Sequence, residues 1–236
     1  MYFDQQEYQI RFEWGLSGVQ ALAPVSDVVI IVDVLSFTTC VDIVVGNGGV
    51  VYPYRGAAEE LAGFAQARDA LYAQPGRQRG EGYTLAPSSL VTMPAGTRFV
   101  LPSPNGSLLS LSTGEVPTLA GCLRNAQAVA QRAATLGSHI SVIAAGERWR
   151  DGLLRPSLED LLGAGAIIAH LAGSRSPEAE LAVAGFQNAQ ANLLDTLNRC
   201  GSGKELIGRD FAEDVQLAAQ LNVSGAAPLL TDGAYR

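Results

Sequence analysis

Short apolar runs alternate with longer segments of helical period along this chain. Runs rich in β-branched residues predict strands over residues 27–33, 49–54, 97–101 and 139–145, and weaker runs predict strands over 7–12 and 117–120. Apolar residues three and four positions apart predict helices over residues 37–46, 57–74, 107–112, 123–136, 158–171, 187–200 and 211–221. This alternation indicates an α/β fold with a mixed, largely parallel sheet.

Two stretches interrupt the pattern. Residues 74–92 hold several glycines and prolines with little periodicity, and a connection of that length in a compact domain is often functional, so it could form a lid. Residues 146–156 are marked by glycine, proline and arginine. Neither stretch has the low complexity of a linker. We therefore expect one domain over residues 1–236, which these stretches could divide into two lobes.

The composition excludes several classes of protein. The 236 residues carry 16 Lys and Arg against 23 Asp and Glu, a net charge of −7, which argues against a general nucleic-acid binder or a polybasic membrane anchor. With 47% hydrophobic and 17% charged residues, the chain can bury a sizeable core. We expect no membrane span and no signal peptide. The three cysteines fit neither a disulfide framework nor a zinc motif, which favours a cytoplasmic protein.

Small, hydroxyl, amide and acidic residues concentrate where predicted strands lead into helices. Four such junctions lie at residues 33–39, 102–107, 121–126 and 144–147. In a parallel α/β sheet these junctions lie at the carboxyl ends of the strands. They should therefore meet in one crevice.

The junction Ser103-Pro104-Asn105-Gly106-Ser107 is a candidate anion cradle. Helix N-termini present free N–H groups and partial positive charge, and Ser103, Asn105 and Ser107 add side-chain donors while Gly106 permits close approach. The same residues would also suit a plain helix cap with turn residues. The chain lacks the Gly-Lys-Ser/Thr ending of a Walker loop.

Several carboxylates could line the same crevice. Asp33 ends an apolar strand, where it could bind a metal, act as a nucleophile or cap the next helix, and Glu147 has the same ambiguity. Glu159 and Asp160 follow Ser157 and could simply complement a helix dipole. Three or four carboxylates around one crevice would nevertheless make a site for Mg²⁺, which prefers oxygen ligands.

Taken together, these motifs resemble the 2-phosphosulfolactate phosphatase family. The resemblance covers almost the whole chain. It depends on Val32-Asp33-Val34-Leu35 with Thr38-Thr39, Pro104-Asn105-Gly106-Ser107, Leu123-Arg124-Asn125-Ala126, Ala144-Ala145-Gly146-Glu147, Ser157-Leu158-Glu159-Asp160 with Gly163-Ala164-Gly165-Ala166, Asp214-Val215 and Ala227-Pro228. It implies a three-layer α/β/α fold and a Mg²⁺-dependent phosphatase that converts a small anionic phosphorylated hydroxy acid to 3-sulfolactate and phosphate, as in coenzyme M biosynthesis.

With this resemblance the candidate residues acquire roles. Asp33, Glu147 and Asp160 become metal ligands, and these three with Glu159 become candidates for nucleophile or general base. The substrate-binding candidates are Ser103, Asn105, Gly106, Ser107, Arg124 and Asn125. The sequence allows a homodimer without requiring one.

The chain departs from the family pattern beside the first carboxylate. Ser36 and Phe37 stand where the family commonly has arginine and alanine, and serine cannot replace the bidentate contact of a guanidinium with an anion. Arg124, Arg148, Arg150 and Arg155 could supply the missing charge. Two alternatives stay open: a non-catalytic small-anion-binding protein of the same fold, and a hydrolase or lyase with a different phosphorylated substrate.

Overall fold

The structure, a computed structural model, describes residues 3–76 and 82–236. Its strands are β1 Ile10–Trp14, β2 Val28–Val32, β3 Val50–Tyr54, β4 Leu71–Tyr72, β5 Arg98–Pro102, β6 Thr118–Gly121, β7 Ile140–Ala144, β8 Glu147–Arg148, β9 Leu154–Arg155, β10 Leu230–Thr231 and β11 Ala234–Tyr235. Its α-helices are α1 Gly15–Leu22, α2 Phe37–Gly46, α3 Leu61–Gln66, α4 Pro87–Leu90, α5 Gly106–Ser110, α6 Ala126–Leu136, α7 Leu158–Ile168, α8 Pro177–Ala189, α9 Leu193–Arg199, α10 Gly201–Gly208 and α11 Ala212–Ala218.

A parallel sheet of order β1-β7-β2-β6 forms the centre of the fold. All five residues of β2 are buried, as expected for an inner strand of a parallel sheet that is covered on both faces. Val28, Ile30 and Val32 pack in a core with α6, α7 and α8, whereas Val29 and Ile31 pack with α1 and α5 on the opposite face. Helices therefore cover both faces of this sheet, and the α/β prediction is confirmed.

A second sheet of order β10-β11-β3-β5-β4 holds the mixed pairing. Its β3, β5 and β4 run parallel, while β10 and β11 add antiparallel strands at one edge. Helix α2 contacts both β6 of the first sheet and β3 of the second. Because α2 begins beside the end of β2, it connects the carboxyl edge of the first sheet to the second sheet.

Several element predictions need correction. The helix predicted over residues 57–74 is a short 3₁₀ turn, Ala58–Glu60, followed by α3 and then β4. The prediction missed α1, α8, α10 and the two-stranded sheet β8-β9. The connection 74–92 contains α4, and its residues 77–81 lie outside the described residues, so its role as a lid stays a prediction. Within the described ranges, no helix combines the length and the apolar character that crossing a bilayer requires.

Gly165 brings α7 against α8, and its replacement should destabilise the fold. A Cβ added at Gly165 would lie 2.0 Å from the carbonyl oxygen of Ala182. Gly165→Ala must therefore push the helices apart, and we expect a loss of about 3 kcal/mol in the free energy of unfolding. Urea denaturation measures this change in the free energy of unfolding. The control is Gly185→Ala, where the added Cβ meets Leu161 at an ordinary 3.7 Å; equal losses in both variants would contradict the packing argument.

Candidate active site

Asp33 lies between β2 and α2 and joins two parts of the site. Its Oδ1 accepts a hydrogen bond from the N–H of Phe37, the first residue of α2, at 3.2 Å. Its Oδ2 accepts the N–H of Gly106 at 2.9 Å, at the start of α5. The carboxylate thus contacts its own helix, as a cap would, and also the loop that follows β5.

Asp160 joins the loop that holds Asp33 to the loop that follows β7. It is buried in the first turn of α7, where Oδ1 accepts the N–H of Val34 at 2.8 Å and Oδ2 accepts the N–H of Gly146 at 2.9 Å. Burial, and then the negative charges of Glu159 and Asp33, hold the pKa of Asp160 well above its usual range. The loops after β2 and β7 therefore converge on one carboxyl group, as the junction argument predicts.

Gly146 makes the turn that brings β8 to this place. Its φ of +67° lies in the left-handed region, and a Cβ there would approach Leu154 Cδ1 to 2.7 Å and the Arg155 carbonyl oxygen to 3.0 Å. Only glycine fits without displacing the β8-β9 hairpin. The adjacent Glu147 is consequently fixed at the edge of the crevice.

Glu147 is bonded to Asn105 from the opposite side of the crevice. The Asn105 amide donates from Nδ2 to Glu147 Oε2 at 3.1 Å. Burial raises the pKa of Glu147, and the charge of Glu159 raises it further, while Asn105 and Arg155 oppose the shift. A carboxyl group whose pKa is raised holds its proton more tightly than an ordinary glutamate, which makes it a candidate for proton transfer.

Glu159 lies buried beside Asp160 and accepts a weak hydrogen bond from the thiol of Cys200. The Sγ to Oε2 distance is 3.4 Å. Burial raises the pKa of Cys200 to about 12, and the neighbouring charge of Glu159 adds to the shift. Cys200 is therefore a protonated donor to Glu159 and a poor nucleophile.

The 103–107 loop uses several of its donors inside the protein. Ser103 Oγ accepts the N–H groups of Asn105 at 3.3 Å and of Gly106 at 3.1 Å, which shapes the turn. The buried hydroxyl of Ser107 donates to the Leu101 carbonyl at 2.8 Å. The anion-cradle role of this loop stays a prediction. The side chain of Asn105 is half-buried and faces Glu147 at the crevice.

Phe37, one of the two residues that depart from the family pattern, packs at the start of α2. A Cβ on Gly106 would lie only 2.2 Å from the Phe37 ring, so the ring rests against the Gly106 backbone. The ring also meets Tyr235 edge-on, with 6.3 Å between the centroids. Phe37 and the adjacent Ser36 are both buried and uncharged, so this junction offers no cation to an anionic ligand.

Arg124 and Asn125 follow β6 but do not reach the carboxylates described above. Asn125 accepts the Cys122 N–H at 2.8 Å and fixes the turn after the strand. Arg124 donates to the buried carboxylate of Asp42 at 2.8 Å and also to Gln220. These two partners line a separate cavity of about 700 Å³ beside α2. Burial of Asp42 explains the direction of Arg124, because a buried carboxylate needs a cation.

Neither the position of Arg155 nor the cavity beside Glu147 could be predicted from the sequence. Glu147 and Arg155 are direct partners across the β8-β9 pair, and their pairing becomes visible only when the hairpin is known. Beside this hairpin lies a cavity of about 250 Å³, whose lining includes Trp14, Asn105, Glu147 and Arg148. A cavity of that volume accommodates a small organic acid.

Metal ligation was predicted for Asp33, Glu147 and Asp160. Within residues 3–76 and 82–236, no group of three or more His, Cys, Asp or Glu side chains is arranged to hold a metal ion. Both carboxylate oxygens of Asp33 and of Asp160 accept backbone N–H groups. A metal at this place would therefore have few protein ligands and would need water or substrate oxygens to complete its coordination.

Removing the Asn105 amide should raise the pKa of Glu147. The Asn105 hydrogen bond favours the ionised carboxylate, so Asn105→Ala should move the titration of Glu147 to higher pH. Carbon-13 NMR of labelled glutamate side chains follows this titration. Asn47→Ala is the control, because Asn47 bonds to Val91 beside the other cavity. A titration of Glu147 that does not change in Asn105→Ala would show that the amide does not stabilise the carboxylate.

Comparison with known proteins covers the carboxylates and loops of this site. The family model described as 2-phosphosulpholactate phosphatase matches residues 19–233. A 2-phosphosulfolactate phosphatase of Methanothermobacter thermautotrophicus is 33% identical over 138 residues, which are 58% of this chain and 58% of that protein. A probable 2-phosphosulfolactate phosphatase of Carboxydothermus hydrogenoformans is 31% identical over 209 residues, 85% of this chain and 84% of that relative. Another from Gloeobacter violaceus is 26% identical over 213 residues, 87% and 89% of the two chains.

Proposed function

The chain belongs to the 2-phosphosulpholactate phosphatase family, and we propose that it hydrolyses the phosphate ester of a small, acidic hydroxy acid of the 2-phosphosulfolactate type. The products would be the free hydroxy acid, 3-sulfolactate for that substrate, and inorganic phosphate. The observation that carries the proposal is the meeting of Asp33, Glu147 and Asp160 at one sheet edge, inside the matched region.

The proposed reaction transfers the phosphoryl group to water. The water oxygen attacks phosphorus, the bond from phosphorus to the ester oxygen breaks, and one proton moves from the water to the leaving alkoxide. Glu147 is our candidate for carrying this proton, because its pKa is raised and its carboxylate is held by Asn105. Asp33, held by two N–H groups, would orient the attacking water from a fixed position.

Magnesium is our proposed cofactor, and the chemistry of the donors at this place supports it. Burial, and then the charges of Glu159 and Asp33, raise the pKa of Asp160, so these carboxyl groups lie within range of one another's charge. Carboxylate oxygens of Asp33, Glu147 and Asp160 are hard ligands of the kind that Mg²⁺ prefers. When bound, the ion would neutralise charge on the phosphate oxygens. The role of these residues would be to hold the ion and to keep the phosphate ester in position for attack by water.

Phosphate release from a panel of esters tests the proposal. The panel contains 2-phosphosulfolactate, 2-phospholactate, phosphoglycolate and p-nitrophenyl phosphate, each assayed with Mg²⁺ and with EDTA. We expect Mg²⁺-dependent release from the acidic esters. Binding of these esters without release of phosphate under any metal condition would overturn the phosphatase proposal and favour a small-anion-binding protein.

The remaining proposals concern the location of the protein and the use of its product. The three cysteines, Cys40, Cys122 and Cys200, are all buried free thiols, which supports a cytoplasmic location. We also propose that 3-sulfolactate produced here serves coenzyme M synthesis, as the family resemblance implies. A homodimer stays a prediction.

A further inference from the structure

The candidate active site carries a strong excess of negative charge. Asp33, Glu147, Glu159 and Asp160 lie together, and charge interactions between neighbouring pairs among them contribute to the raised pKa values of Glu147 and Asp160. The proposed substrate brings a phosphate and at least one further acidic group. The proposed Mg²⁺ would serve the phosphate, and a carboxylate or sulfonate beside this cluster would still need a positive charge of the protein against it.

The structure narrows the choice among the arginines near the site. Arg124 is bonded to Asp42 and Gln220 in the separate cavity beside α2. Arg148 pairs with Leu154 across the hairpin, donates to the Gly152 carbonyl and lines the 250 Å³ cavity together with Glu147. The cation whose charge lowers the pKa of Glu147 is Arg155, not Arg124 or Arg148.

Arg155 has the required position. It pairs directly with Glu147 across β8 and β9, so their side chains extend from the same face of the hairpin. Its positive charge lowers the pKa of Glu147, which places the guanidinium within electrostatic range of that carboxylate. Arg155 is therefore a cation that acts on the cluster from its own edge of the crevice.

The guanidinium of Arg155 is oriented but retains free donors. Its Nη2 donates to the buried Ser202 hydroxyl at 3.0 Å, and its central carbon lies 5.7 Å from the centroid of the Trp149 ring. Among the described residues this is the hydrogen bond that Arg155 makes, whereas a guanidinium has five N–H donors. The side chain is half-buried, so part of the guanidinium is accessible to a ligand.

We propose that Arg155 binds the second acidic group of the substrate, the carboxylate or sulfonate that accompanies the phosphate. This inference rests on the proposed function. A planar guanidinium fits a carboxylate or sulfonate with two parallel N–H donors, and contact with an aromatic ring limits its motion.

Steady-state kinetics of Arg155→Gln test the inference. The Michaelis constant for 2-phosphosulfolactate should rise about 10- to 150-fold, because a hydrogen bond to a charged group contributes about 1.5–3 kcal/mol. The kcat should change little, since the contact is equal in the ground state and the transition state. For p-nitrophenyl phosphate, which has no second acidic group, kcat/KM should stay within about twofold.

Three variants separate binding from other roles of the arginine. Arg155→Lys keeps the charge but loses the paired donors, so it should have an intermediate KM. Arg150→Gln removes an exposed charge from the same hairpin and should leave both substrates unaffected, which controls for long-range attraction. Ser202→Ala removes the partner of Arg155 but not the guanidinium, and it should raise KM only slightly. An equal fall in kcat/KM for both substrates in Arg155→Gln would mean that the arginine only neutralises Glu147, and would overturn the inference.

Calorimetric binding of 3-sulfolactate keeps this test independent of turnover. The wild-type protein should bind this dianion, and Arg155→Gln should bind it about 10- to 150-fold more weakly. Absence of phosphate release in the wild type would count against the phosphatase proposal alone. Equal affinity of both proteins for 3-sulfolactate, or no affinity in either, would overturn the role of Arg155.

Discussion

Asp33→Asn is expected to abolish phosphate release, with a loss of about 10³-fold in kcat, while the protein remains folded. Asparagine keeps the shape of the side chain and one oxygen acceptor, but it removes the charge that would hold a cation and orient water. One of the two N–H groups, of Phe37 or Gly106, loses its partner, which costs about 1–3 kcal/mol of stability. Phosphate release and thermal melts measure the two effects.

A control for this substitution exists just before the same strand. Asp27 precedes β2 at the opposite edge of the sheet, and its Oδ2 accepts the N–H groups of both Ser138 at 2.9 Å and His139 at 2.8 Å. Asp27→Asn can keep this oxygen acceptor and should show at most a small loss of stability with full activity. If Asp33→Asn retains more than about a tenth of the wild-type kcat, Asp33 is a structural cap and has no catalytic role.

The parts of the fold that the sequence predicted well are those whose surroundings are uniform. Strand β2 is apolar at every position because both faces of its sheet are covered, and its pattern needs no knowledge of its neighbours. Helix α2 has the predicted bounds, Phe37–Gly46, since nearly all of it is buried between the two sheets. Position on an inner layer thus leaves a strong signal in the sequence.

The errors arise where a distant partner decides the structure. Leu71 and Tyr72 form β4 by pairing with Phe99 and Val100, and Asp69, with a φ of +50°, ends the preceding turn. Helical periodicity over residues 57–74 contains no information about that pairing. Hairpin β8-β9 was missed for a similar reason, because each of its strands has only two residues.

The candidate site shows the same division. Topology alone predicts that the loops after β2 and β7 meet, and Asp160 accepts N–H groups from both. The direction of Arg124 could not be predicted, since it depends on Asp42, which appears in the sequence as an ordinary acid within a helix. A charged residue next to a sheet edge can face either side of it, and only the position of its partner decides which.

The metal-free protein should lose stability as the pH rises. The pKa of Asp160 is raised in the folded state, so the folded protein binds a proton more tightly than the unfolded chain does. Stability from this group is therefore present in acid and is lost as the pH rises above about 4, the usual value of an unfolded aspartate, through the raised pKa. Glu147 and Asp42 have raised pKa values and contribute with the same sign.

Mg²⁺ should reverse this loss at the upper end of the pH range. A cation binds the ionised cluster in the folded state and stabilises that state by mass action, by about 2.7 kcal/mol at a concentration of 100 times its dissociation constant. Melting temperatures with Mg²⁺ and with EDTA should therefore differ little at pH 5 and most at pH 8. Asp42→Asn, in the separate cavity, should keep the response to Mg²⁺, whereas Asp160→Asn should lose it. A shift of the melting temperature that is equal at both pH values, or retained in Asp160→Asn, would place the metal elsewhere, because binding to this cluster requires the carboxylates to lose their protons first.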